Sequence, residues 1–281
     1  MPADAFERSV GNEWKPLVTK IQQVCEYLDQ FAPTRLAEEW DNVGLLTGDR
    51  AAECQRIMTC LTVTPDSAAE AIEQGASLIV SHHPLPFRPL KRLTTDSTPS
   101  RLVWELARAN VAIYSPHTGF DSALEGINQS LAEKIGLEQI KPLKLIPDDQ
   151  QSLGSGRVGR LAGDGQSYPA FVDSVKSAFG KQTIKVVGRR DAVVKKVAVA
   201  CGSGGSFLSD AIFSGCDTFV TGEATFHSCL EAQAGDVNLV LIGHYDSERF
   251  AVEDLADRLA GQFGDMKIWA STKESDPIQW W

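Results

Sequence analysis

Thiol chemistry is sparse and unpaired in this sequence. Its six cysteines, Cys25, Cys54, Cys60, Cys201, Cys216 and Cys229, form no C-x-x-C pair, which argues against a redox dithiol or a thiolate zinc site. Most lie inside apolar periodic segments, where reduced cysteines serve as small core residues. Positive charge is also short: 27 Lys and Arg face 37 Asp and Glu, for a formal net charge of −10. That field repels phosphate backbones and anionic lipid, so nonspecific nucleic-acid binding is not expected, although a local basic pocket is compatible with it. No window approaches the roughly 18 apolar residues of a membrane span. The opening MPADAFERSVGNEWKPLVTK carries acids and no apolar signal-peptide stretch. A cytoplasmic protein without membrane attachment is expected. No G-x-S-x-G elbow and no Walker lysine occur, which removes the usual marks of serine hydrolases and P-loop enzymes.

With 281 residues, 43% of them hydrophobic and 23% charged, the chain can fill one large domain or two lobes with cores. Leu17, Ile21, Val24, Leu28 and Phe31 recur at helical spacing and predict an amphipathic helix over 15–31, closed by Pro33. WDNVGLLTGD (40–49) reads as a turn-rich loop. Residues 56–63 read as a strand, 65–75 as a helix, and 76–81 as an almost wholly apolar strand of the kind buried in parallel sheets. A helix over 100–109 and a strand over 111–115 follow, and Ser122-x-x-Glu125 makes a capping box for a helix running to Gly136. PDDQQSLGSGRVGRLAGDGQS (147–167) is rich in Gly, Ser and Asp and is expected to connect two lobes, 1–146 and 168–281.

The second half repeats the first. AIEQGASLIVS (71–81) aligns without a gap on AIFSGCDTFVT (211–221), and the strands end in His82-His83 in one copy and Gly222-Glu223 in the other. One strand later, 111–115 leads to His117-Thr-Gly-Phe-Asp121, while 237–242 leads to His244-Tyr-Asp-Ser-Glu248. Both read H-x-x-x-acid. Any two βαβ units look alike at the level of strands and helices. Matching polar motifs at matching strand ends favour two pseudo-symmetric α/β lobes with parallel or mixed sheets, the C-terminal segment returning to a site that the lobes share.

All five histidines, His82, His83, His117, His227 and His244, lie at or beyond the carboxyl end of a predicted strand, the edge where α/β sheets bind ligands. One histidine there is commonly a satisfied polar residue. Five, with Asp121, Glu223 and Glu248 close to three of them, point to a metal site. Adjacent side chains on a continuing strand face opposite ways, but at a strand broken by Pro84 they can each reach a different ion of a close pair. Two divalent ions are therefore expected, roughly 3.5–4 Å apart as in dinuclear hydrolases. Such a pair needs a bridging carboxylate, and Glu248 offers one. Phe250, Leu255 and Leu259 place it in the first turn of a helix from Ser247, where the dipole favours its ionised form. Asp121 sits equivalently ahead of its capping box. Acids at helix starts need no metal, so the histidines carry the inference. Imidazole and carboxylate donors suit zinc, iron, manganese or nickel without choosing among them. The candidate ligands are His82, His83, Asp121, His244 and Glu248.

WDNVGLLTGD, SHHPLPF, HTGFD with GIN, CGSGGSF, TGEATFH and GHYDSERF occur in this order. They resemble the GTP cyclohydrolase I type 2 homologue family, also called Nif-three-like. The resemblance runs from about Val18 to Trp269. It implies a ring-shaped homohexamer of two-lobed α/β subunits, cytoplasmic, with two metal ions held by the residues matching His82, His83, Asp121, His244 and Glu248, the last bridging. The chain looks like the short form, since no extra domain fits between GRVGRL and CGSGG. It departs from the family in having Thr62 or Thr64 where an aspartate usually follows the first strand.

Two functions fit. One is a metal-dependent hydrolase of a small or phosphate-containing substrate, with Glu223, His117 or His227 as general acid or base near the ions. The other is a non-catalytic metal-binding or protein-docking scaffold. The glycines of Cys201-Gly-Ser-Gly-Gly-Ser206 can expose amides to a phosphate or simply make a tight turn, and they lack the full dinucleotide spacing. Trp269, Trp280 and Trp281 put aromatic surface near the C-terminus. That surface is expected to meet a neighbouring subunit or lobe, the alternative being that it folds onto its own core.

Overall fold

The computed structural model describes residues 6–8, 14–16, 18–146 and 153–279. Two mixed sheets carry it. The first holds β1 (Gly44–Thr47), β2 (Arg56–Cys60), β3 (Leu78–Ser81) and β4 (Ala112–Ser115). The second holds β5 (Glu138–Lys141), β6 (Arg157–Arg160), β7 (Lys185–Val187), β8 (Lys196–Ala200), β9 (Thr218–Thr221) and β10 (Asn238–Leu241). The chain then returns to the first sheet as β11 (Lys267–Ala270). The spatial orders are β11-β2-β3-β4-β1 and β7-β10-β9-β8-β6-β5. In the first sheet β11, β2, β3 and β4 run parallel and β1 closes the edge antiparallel to β4. In the second, β8, β9 and β10 are parallel, with antiparallel pairing outside them.

The sequence repeat thus becomes two parallel triplets, β2-β3-β4 and β8-β9-β10, whose middle strands β3 and β9 are buried at every position. Their alternation sorts side chains between layers. Leu78 and Val80 of β3 and Val220 of β9 enter one large central core, together with Val24 and Leu28 of α1 (Ile21–Phe31). Ile79 faces a separate outer cluster with Ala68 of α2 (Pro65–Glu73) and Leu102 of α3 (Thr98–Arg108). Phe219 joins the corresponding outer cluster of the second sheet. The two sheets therefore share an apolar layer, and the polar strand ends on its rim come together. Among the described residues no helix is long and apolar enough to cross a membrane.

Several local expectations change. The first helix starts at Ile21, because 14–16 pairs as a strand with 6–8. Residues 44–47 of the expected loop form the edge strand β1. The expected helix from Ser122 divides into α4 (His117–Ser122) and α5 (Ile127–Lys134), and no capping box forms at Ser122. Instead Gly126 caps α5, at a place where a Cβ would lie 1.9 Å from the Phe120 carbonyl oxygen. The carbonyls that a continuous helix would have used are taken by side chains: Asn128 Nδ2 donates to Asp121 O at 3.1 Å and Arg157 Nη2 to Ala123 O at 2.6 Å.

The boundary at 147–167 also changes. Residues 147–152 lie outside the described residues, but β6 falls within the rest and pairs with β8. β5, expected in the first lobe, pairs with β6 in the second sheet, and β11, expected in the second, joins the first. The sheets exchange strands, so the chain does not cross between them once. Trp269, on β11, is half-buried against the outer cluster of its own chain and donates from Nε1 to Glu70 Oε1 at 3.2 Å. Trp280 and Trp281 lie outside the described residues.

Candidate metal centre

Each strand of the two triplets that ends at the shared rim delivers part of a polar cluster. β3 runs directly into His82 and His83, and β4 leads through Pro116 to α4, with His117 at its start and Asp121 one turn on. In the second lobe β10 leads through Gly243 to α9 (His244–Gln262), with His244 at its start and Glu248 one turn on. The helix begins three residues before the expected Ser247, so both H-x-x-x-acid motifs are i,i+4 pairs on one helical face. That spacing aims imidazole and carboxylate at one point.

The side chains converge. His82 Nε2 is 3.7 Å from Asp121 Oδ1 and 3.7 Å from Glu248 Oε1. The other oxygen, Glu248 Oε2, is 3.2 Å from His83 Nε2 and 3.1 Å from His244 Nε2. His83 Nε2 and His244 Nε2 are 3.3 Å apart. His82, His83 and His117 also bring ring nitrogens within 4.8 Å of one another. One carboxylate therefore faces two groups of donors, one through each oxygen.

Three of the imidazoles are held from behind. Thr62 Oγ1 hydrogen-bonds His83 Nδ1 at 2.7 Å, Asp41 Oδ1 takes His117 Nδ1 at 2.7 Å, and Glu223 Oε2 lies 3.2 Å from His244 Nδ1. Such outer partners fix ring orientation and leave the other nitrogen for a ligand. Thr62 thus supports His83 with a neutral hydroxyl. Thr64 instead caps α2, accepting from the Ser67 amide at 3.2 Å. The Asp41 side chain is fully buried and also accepts from the Thr118 amide at 3.1 Å. Burial pushes its pKa up, but the bonds from His117 and Thr118 hold it down to about 2. Sequence reasoning missed Asp41 and Thr62 as partners of the cluster.

Burial and mutual attraction pull the cluster's charges in opposite directions. Burial favours neutral Glu248, yet the histidines around it hold its pKa well below the ordinary value. Burial opposes protonation of His82, but Asp121 and Glu248 raise its pKa. Desolvation raises Asp121, and the hydrogen bond to Glu248 lifts His244 to about 9. His82 is 2% exposed and neither of its ring nitrogens has a hydrogen-bond partner. An orphaned buried imidazole between two carboxylates is costly, and a divalent ion satisfies all three at once. The residues present fit such an ion.

The cavity over the cluster holds about 470 Å³ and is lined by His83, His117, Asp121, His244 and Glu248 together with Trp40 and Phe87. A larger space of about 770 Å³ adjoins it, lined by Glu223 and sharing His244 and Ser203. Glu223 is about half exposed and accepts from Ser203 Oγ at 3.0 Å. His227 is not brought to the cluster: it is exposed on α8 (Phe226–Ala234), meets the Phe226 ring edge-on at 6.0 Å, and lines neither cavity. The glycine turn at 201–206 serves the carboxylate directly. Gly202, at φ +56°, donates its amide to Ser247 Oγ at 2.9 Å, and a Cβ there would lie 2.2 Å from Glu248 Oε1. Cys201 Sγ sits 3.1 Å from Asp121 Oδ1.

Residues 19–277 match the family model described as Duf34/NIF3 (NGG1p interacting factor 3). The chain belongs to this family. Within it, a Clostridium perfringens "GTP cyclohydrolase 1 type 2 homolog" is 31% identical over 92% of this chain and 99% of its own length. The Schizosaccharomyces pombe "Protein NIF3 homolog" is 32% identical over 92% and 96%. Among solved structures, a Staphylococcus aureus hypothetical protein superposes with a TM-score of 0.84 at 28% identity, covering 93% of this chain and 99% of that one. The two-sheet architecture described above is thus a Duf34/NIF3 fold over nearly its whole length.

Proposed function

We propose that this Duf34/NIF3 protein binds two divalent metal ions and uses them to hydrolyse a small substrate. His82, Asp121 and Glu248 would hold one ion, and His83, His244 and Glu248 the other. The observation that carries the reading is the division of Glu248, one buried carboxylate with its two oxygens turned to two separate donor groups. When bound, a divalent pair supplies Lewis-acid polarisation of the scissile bond and activation of water. The chain's own contribution is to orient. Asp41 holds His117 through Nδ1, so its other nitrogen is available to take or give a proton in the cavity. Glu223 steadies His244 from the open side and is exposed enough to meet a substrate. The donor set suits zinc, iron, manganese or nickel. His227, exposed and away from the cluster, is given no part.

The unpaired cysteines, five of the six buried, support a reducing cytoplasmic setting. The resemblance to ring-shaped homohexamers supports six copies per assembly, and sedimentation decides it, with a monomer overturning the ring. Exposed apolar side chains such as Phe213, 93% exposed, offer surface for burial between subunits. Function itself is tested by metal analysis of reconstituted protein and a screen against nucleotides, phosphoesters and cyclic amides. Turnover that needs metal and disappears in His83→Ala supports the hydrolase. Full metal loading with no turnover of any of them points to a non-catalytic scaffold.

A further inference from the structure

Trp40 and Phe87 stand at the edge of the metal cluster with no role in holding it. Trp40 is 62% exposed and Phe87 49%, unusual for large aromatic side chains beside a buried polar site. Their ring centroids are 6.0 Å apart and lie 6.1 and 6.2 Å from that of His117. The three rings form a corner in the wall of the 470 Å³ cavity. The corner is built to stay in place. Asn42 Nδ2 donates to Pro86 O at 2.8 Å, tying the Trp40 loop to the Phe87 loop, and Asp41 between them is bound to His117 and Thr118. Glu38, ahead of Trp40, donates its amide to Thr118 Oγ1 at 3.0 Å.

We infer that Trp40 and Phe87 form a stacking platform that selects substrates carrying a planar heteroaromatic ring. This rests on the reading of the adjoining cluster as a metal centre. Exposed aromatic faces held rigid against water offer a π-surface at little ordering cost, and planar bases stack on such faces with little dependence on their edge groups. The rings line the same cavity as His83, His244 and Glu248, so a ligand stacked on Trp40 presents its polar end to the cluster. Lys144, exposed in the same wall, suits an anionic substituent such as a phosphate. A protein segment lying on the corner would close the cavity, which favours a small ligand as the occupant.

The test compares two probes that differ by the ring alone, adenosine 5′-monophosphate and ribose 5-phosphate, binding to metal-reconstituted full-length protein by calorimetry. The ring should strengthen binding about tenfold or more. Trp40→Ala should erase that advantage while leaving metal content and ribose 5-phosphate binding as in the wild type, and Trp40→Phe should keep most of it. Phe87→Leu, a milder change, should reduce it in part. Equal affinities for the two probes overturn the platform, as does a ring advantage untouched in Trp40→Ala. A change of assembly size in Trp40→Ala, with ring binding unaltered, also overturns it and makes the corner a subunit contact. Ring-selective binding without turnover of any substrate keeps the platform and removes only the hydrolase.

Discussion

Asp41 and His117, 76 positions apart in sequence, meet through a 2.7 Å bond between Oδ1 and Nδ1, with the aspartate side chain entirely out of solvent. The carboxylate selects the ring's orientation and, when Nδ1 carries the proton, its tautomer. Asp41→Asn keeps the shape and loses the charge. Its effect should be a loss of turnover of about 100-fold or more with metal content near wild type, and a lower unfolding midpoint at neutral pH, because a carboxyl held down to about 2 in the folded state contributes stability while it is ionised. Turnover, metal titration and thermal unfolding read the three separately, and unchanged turnover contradicts the role. Glu223→Gln, acting on His244 from the exposed side, should leave metal content near wild type and alter turnover.

The divided carboxylate gives a sharper expectation. Glu248→Gln removes the shared charge and should weaken both ions together, whereas His82→Ala touches only the group around Oε1 and should leave one ion per subunit of the expected two. Metal content after dialysis against a weak chelator measures both. Retention of one full-affinity ion by Glu248→Gln would mean that the carboxylate does not bridge.

The cluster was readable because its residue types are few and chemically distinctive: of five histidines in 281 residues, four sit just past strand ends and converge, while His227, on α8, stands apart. The burial of β3 was readable for a similar reason, since an almost wholly apolar run permits little else, and β9, Thr-Phe-Val-Thr, was readable through its gapless alignment with β3. Asp41 was not. In WDNVGL an aspartate is fully explained by local turn chemistry, and nothing nearby announces a partner on another element. Thr62 was noticed only as a departure, not as the group that holds His83. The capping box at Ser122 is a sound local signal that loses to tertiary demands, because Arg157 and Asn128 claim the carbonyls around it. Arg157 itself, 1% exposed, stood in a stretch whose glycines and serines suggest a linker. β11 pairs with β2 across more than two hundred residues, and such a register leaves no trace in local pattern.

Glu70 makes that return of β11 stable. It is 5% exposed and accepts from Ser271 Oγ at 2.6 Å, Trp269 Nε1 at 3.2 Å and the amides of Thr272 and Lys273. Burial pushes its pKa up, but these bonds outweigh burial and hold it below 4.5. A carboxylate depressed in the folded state contributes stability that is present above its unfolded pKa and is lost as pH falls through the folded value. Glu70→Gln should therefore cost about 2 kcal/mol near neutrality, and the gap from wild type should shrink below pH 4.5. Denaturant unfolding of both proteins at neutral and acid pH measures it. A gap that stays constant with pH contradicts the ionised clamp.

Gly202 allows a separation of backbone strain from damage to the site. Both Gly202, at φ +56°, and Gly180, at φ +61°, occupy backbone that L side chains adopt poorly. A Cβ at Gly180 meets nothing within 4 Å, whereas one at Gly202 would lie 2.2 Å from Glu248 Oε1 and 3.3 Å from His244 Nε2. Gly180→Ala should therefore show the conformational cost alone, about 1 kcal/mol, with metal binding untouched. Gly202→Ala carries a similar backbone cost and must also push the Glu248 carboxylate aside, so metal affinity should fall in this variant only. The two isotherms, each normalised to the fraction folded, measure the difference. Equal metal affinity in the two alanine variants would mean that the Glu248 carboxylate can give way without leaving the donor groups, and that the close approach of the Gly202 backbone does not set its position.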